Sequence, residues 1–135
     1  MIVQGRAAAE PAMRLAVAAF LGDQVSGEDR LRWGVLAQVA SMYVWDLDSW
    51  AVLSVRDVEF ARASGALAPL NIALNARGMA VTLCGDFETA TSLAAEKDVV
   101  AEVTGIRLAA TCDLLLAGYR GRPAEAVPGL LSCGT

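Results

Sequence analysis

The sequence predicts an all-α fold of antiparallel helical hairpins, stacked in a single domain over residues 1–135. Three observations predict it. Gly65, Gly85, Gly105 and Gly121 each follow a stretch whose apolar residues recur at helical spacing, and glycine favours the left-handed conformation just past a helix end. Their intervals are 20, 20 and 16 residues, room for a helix of about four turns and a short connection. No segment sustains a period of two in β-branched residues, and no Asn-Gly or Asp-Gly hairpin signal occurs.

The first helix is expected from Ala8 to Leu21, with Ala12, Leu15, Ala16, Ala19 and Phe20 on one face. Pro11 is tolerable there only within the first turn. Gly22 and Asp23 end it, and Ser26 caps a second helix from Gly27 to Tyr43. Glu28 and Asp29 suit the positive start of that helix, and Leu31, Val35, Leu36, Val39 and Met42 form its stripe. Residues Trp45 to Trp50 make a turn in which Asp46 or Asp48 caps a third helix, Ser49 to Ser64. Pro69 falls in the opening of a fourth, Ala66 to Cys84. Asp86 caps a fifth helix that ends near Thr104, and Ile106 begins a sixth that runs to Tyr119. A seventh begins at Arg122, although Pro128 and Gly129 fall inside it.

An internal repeat joins these elements. Shifted by 40 residues, Asp46-Leu47 falls on Asp86-Phe87, Leu53 on Leu93, Ala61 on Ala101, Ser64 on Thr104 and Gly65 on Gly105. A third copy starts at Gly121, where GRPAEA echoes the GDFETA of residues 85–90. A helix pair repeated at this period is the pattern of tetratricopeptide-like solenoids, because one pair cannot bury its apolar face alone. A closed antiparallel bundle is the competing architecture.

Composition bounds the function. The chain has 135 residues, 56 % of them hydrophobic and 19 % charged, with a mean hydropathy of +0.46. Disorder needs the opposite balance. No run of ~18 apolar residues free of charge is present to span a membrane. A net charge of -4 and a pI of 4.7 give no footprint for nucleic acid. The absence of histidine removes Ser-His-Asp and Cys-His nucleophile systems and His-containing zinc sites. Cys84, Cys112 and Cys133 lack the spacing of a zinc ribbon or a redox pair. Their odd number suggests free thiols in a reducing cytoplasm, and Glu10 and Arg14 interrupt what would otherwise look like a signal sequence.

Several stretches together resemble a known family. They are Trp33 through Trp45-Asp46-Leu47-Asp48-Ser49-Trp50, then Arg62-Ala63-Ser64-Gly65-Ala66-Leu67, then Gly85-Asp86-Phe87 with Ala90, and Thr104-Gly105. They resemble the helical-repeat region of large, ATP-binding LuxR-type regulators of the MalT-like kind from actinobacteria. The resemblance covers residues 7 to 127. It implies a coupling or sensing array between an NTPase module and a DNA-binding helix-turn-helix. Neither flanking activity carries over, since the chain has no GxxxxGK[ST] loop and no basic recognition helix. The resemblance implies the interior of such a regulator, as a fragment or a truncated relative.

The reading is therefore a non-enzymatic module for protein–protein interaction or signal coupling, with no catalytic residue, cofactor or metal. Its partner would be another protein or the adjacent regulator domains. The alternative is a sensor that binds an apolar small molecule between helices. Trp33, Trp45 and Trp50 could form an aromatic groove, or lock the turn between the second and third helices. Arg56 and Arg62 could line a binding surface, or pair with Asp57 and Glu59 on a solvated face. Asp46 and Asp48 could act as acid and base or hold a metal, against the simpler role of caps. The first helix, apolar almost all round, and the apolar tail at Val127 to Leu131 suggest that the isolated chain forms a homodimer through a terminal face.

Overall fold

A computed structural model describes residues 5–108 and 111–122. Six helices account for most of them, and no strand occurs among the described residues. They are α1 (Arg6–Leu21), α2 (Gly27–Tyr43), α3 (Leu47–Ser64), α4 (Leu67–Leu83), α5 (Phe87–Thr104) and α6 (Thr111–Tyr119). The expected seventh helix lies outside the described residues, apart from its first residue, Arg122.

The bounds of α4 and α5 are those of α2 and α3 shifted by 40 residues. The caps follow the same shift. The Asp46 carboxylate accepts from the Ser49 amide at 3.0 Å, and Asp86 accepts from the Thr89 amide at 3.1 Å. Bonds from the Ser49 and Thr89 side chains first, and from their amides second, hold both carboxyls below the ordinary aspartate range. Asp48 sits inside the first turn of α3 and is not its cap. Gly65 and Gly105 close α3 and α5 in the left-handed conformation.

Three expected starts are corrected, the first being α3, which begins at Leu47 rather than Ser49, directly after the Asp46 cap. α1 begins at Arg6, so Pro11 lies in its second turn and leaves the Ala7 carbonyl without its i+4 amide. Ile106, expected to open α6, lies outside it together with the two residues that follow, and the described helix is Thr111–Tyr119. The Asn71 side-chain amide donates to the Ile106 carbonyl at 3.0 Å and holds that residue out of a helix. The Asn75 side chain then accepts from the Cys112 amide at 3.1 Å. An orphan donor of the first turn of α6 is thus satisfied by α4 rather than by a local cap.

Each helix touches the next along the chain. Beyond that, α1 packs on α3, α2 on α4 and α4 on α6, side chains of α3 and α5 meet at Arg62 and Glu96, and no described helix packs on its third neighbour. The apolar core follows this order as a seam. Val17, Ala37 and Leu53 form one cluster over α1 to α3. Val58, Leu70, Leu74, Val81, Leu93, Val100 and Leu116 belong to a second cluster, over α3 to α6. Glycine sets the close approach at two crossings: a Cβ on Gly34 would meet the Asp57 carboxylate at 2.7 Å, and one on Gly78 would collide with the Cys112 sulfur.

Candidate functional site

The three tryptophans have three separate fates. Trp50 is 3 % exposed, and its indole N–H donates to the Gln38 side chain at 3.2 Å, sealing α3 against α2. Trp33 stands half-exposed on α2 with the Arg32 guanidinium 5.0 Å from its ring. Trp45 occupies the turn after α2 and is 74 % exposed.

Trp45 is also the one described non-glycine residue with a positive φ, at 58°. Its amide donates to the Met42 carbonyl and the Asp46 amide to Ser41, the paired bonds of a Schellman turn. Gly85 and Gly121 make the same pair of bonds in the turns after α4 and α6, at φ 83° and 67°. A side chain in this conformation costs roughly 1–2 kcal/mol relative to the right-handed region, and an indole left in water recovers little of that through burial.

The arginines pair differently from the local i, i+3 or i, i+4 contacts expected. Arg56 donates to the Leu21 carbonyl at the end of α1. Arg62 makes a two-pronged bond to Glu96 on α5, and this holds the guanidinium above its usual pKa. Asp57 does not lie on a solvated face. It is buried, accepts from the Gln38 amide at 2.6 Å and stands 3.7 Å from the Arg30 guanidinium. Burial pushes its carboxyl above the ordinary range, against the opposing effects of Gln38 and Arg30.

A cavity of about 70 Å³ adjoins this cluster, lined in part by Arg32, Val35, Pro69 and Ile72. Arg30 Nη1 and Asp57 Oδ1 have no hydrogen-bond partner, and both atoms are closed off from solvent. Through Asp57, the Gln38 amide and the Arg30 guanidinium tie α2 to α3.

Lys97, 40 residues after Asp57, is buried as well. Its ammonium donates to Asp113 on α6 at 2.5 Å and lies 3.4 Å from Asp98. Burial alone would lower its pKa; the bond and charge of Asp113, with Asp98 beside it, outweigh this and raise it. Burial pushes the adjacent Cys112 thiol up to about 11, with Asp113 adding to the shift, so it is neither nucleophilic nor readily oxidised while α6 is docked. Cys84 is exposed, and Cys133 lies outside the described residues. Sequence reasoning missed Asp57 and Lys97, although Leu53, Asp57 and Ala61 fall on one helical stripe and so marked a charge on a buried face.

The feature with room for a partner is the outward face of α2 and α4. After Arg32, α2 carries no charged residue, and Leu36, Val39 and Tyr43 are exposed on it. The sole charged residue of α4, Arg77, donates inward to Ala51 and Ser54 of α3, leaving Ile72 and Leu83 exposed. By contrast, α3 and α5 carry Asp48, Glu59, Glu88, Asp98 and Glu102, besides the paired Glu96. At the Trp45 end, a surface groove of about 310 Å³ runs between Tyr43, Trp45 and the Ala7, Glu10 and Met13 of α1.

Among the described residues, no three His, Cys, Asp or Glu side chains are placed to hold a metal ion. No described helix is long and apolar enough to cross a membrane. No protein-family model, curated protein or solved structure matches the chain.

Proposed function

We propose that the chain is a non-enzymatic, tetratricopeptide-like module that acts by protein–protein contact and, following its resemblance to large LuxR-type regulators, couples a signal to a partner or adjoining regulator domain. The observation that carries this is the 40-residue shift relating the two helix pairs, joined to contacts that never pass the next-but-one helix. A closed bundle would bring its first and last helices together; a linear array leaves a long face open along one row. The uncharged outer side of α2 and α4 is such a face, and apolar patches of this kind mark interaction sites. The sensor alternative needs an enclosed pocket of roughly 300 Å³ or more for a drug-sized ligand; the cavity beside Asp57 is about 70 Å³, and the space of about 310 Å³ beside Trp45 is an open surface groove.

Photo-crosslinking in cells from positions 36 and 72 tests the reading. One partner is expected from both positions, lost when Leu36→Glu is introduced into the chain labelled at 72. Unrelated captures from the two positions, or capture indifferent to Leu36→Glu, would overturn it.

A further inference from the structure

We propose that the face formed by Leu36, Val39 and Tyr43 of α2, Trp45 of the following turn, and Ile72 and Leu83 of α4 pairs with the same face of a second copy of this chain. This deepens the interaction-module reading and rests on it. Two independent observations select the face. Both helices carry an uncharged outer stripe, where an exposed helix ordinarily carries its charges. The stripe runs at Tyr43 into Trp45, which keeps a left-handed backbone where the other turns with the same paired bonds use Gly65, Gly85 and Gly121. Strain held at an exposed aromatic residue, with little burial in return, points to contact made outside the chain.

The occupant follows from area and charge. The six side chains expose on the order of 500 Å², and a standard interface takes about 800 Å² per partner, a little over half of it apolar. The face therefore supplies about the apolar share of one side of a standard two-fold interface. The chain carries a net charge of -4, which opposes the approach of two copies. Most of its acidic residues in described helices sit on α3 and α5, so pairing through α2 and α4 keeps them off the contact. The rim at the start of α2 offers both signs, Glu28 and Asp29 with Arg32, as a self-complementary two-fold contact requires. The face differs from the terminal faces that the sequence suggests for a dimer.

Sedimentation equilibrium of the full chain from 1 to 200 μM, with circular dichroism and thermal melts, tests this. The unaltered chain is expected to show a concentration-dependent monomer–dimer equilibrium. Leu36→Glu should leave the helical spectrum intact and weaken the dimer at least tenfold. Trp45→Gly should weaken the dimer while raising the melting midpoint measured at a concentration where both proteins are monomeric. A strict monomer at 200 μM overturns the proposal, and so does a dimer that tolerates both substitutions. A monomer that still crosslinks to a different protein through position 36 overturns self-pairing and leaves the interaction-module reading standing.

Discussion

Asp57 of the first helix pair and Lys97 of the second stand at equivalent positions, both buried, with opposite charges. Asp57 is answered by Gln38 and Arg30 of α2, so its lock closes within its own pair. Lys97 is answered by Asp113 of α6, so its lock reaches forward to the next helix. The two pairs share bounds, turn geometry and the burial of this site. The chemistry at the site differs with the element to be tied down.

The largest effect should come from breaking the first lock. Asp57→Ala leaves Arg30, 11 % exposed, with no counter-charge, and should cost about 3 kcal/mol in urea unfolding. Lys97→Met leaves Asp113, which is 33 % exposed and can turn to water, so about 1 kcal/mol is expected. That variant should also loosen α6 ahead of the rest, read as faster thiol labelling at Cys112 without loss of overall helicity. Equal losses from the two substitutions would break the comparison.

Opposite charge also gives opposite dependence on pH. The Lys97 pKa is raised above 10.5 in the folded chain, so its contribution is complete below that value and is lost as pH climbs through the folded pKa. The Asp57 pKa is raised above 3.8, so between that value and its folded pKa the native state holds a proton that the unfolded chain has released. Its contribution to stability therefore falls as pH rises through that window. Unfolding free energies measured from pH 3 to 11 should differ by a constant amount between the wild type and Lys97→Met up to the alkaline end, and converge there as Lys97 loses its proton. The wild type and Asp57→Asn should diverge from the acid end upward. The smallest effect concerns the turns: Gly85→Ala places a side chain in the conformation Trp45 already adopts and should cost about 1 kcal/mol, seen as a lower melting midpoint.

The parts legible in the sequence are those written locally. Ser26, Asp46 and Asp86 announce helix starts because a cap acts on amides three residues away, and Gly65 and Gly105 announce ends for a similarly local reason. The repeat was legible because those signals recur at one interval. Contacts between distant residues left no such trace. Arg62 meets Glu96 across 34 residues, and the start of α6 depends on Asn75, 37 residues before Cys112. Nothing in the local sequence around Ile106 shows that α4 withholds it from the helix. The three tryptophans lie close together in sequence, yet Trp50 faces inward and Trp45 outward, because the turn between them reverses the chain.

The cap that Asn75 lends to α6 gives the molecule a direction of growth. The first turn of α6 is completed by a side chain of the preceding pair, so that pair serves as the template on which the next helix is laid down. During synthesis α4 leaves the ribosome before α6, and the template is in place before the residues it receives. The order of translation and the order of assembly are in this respect the same.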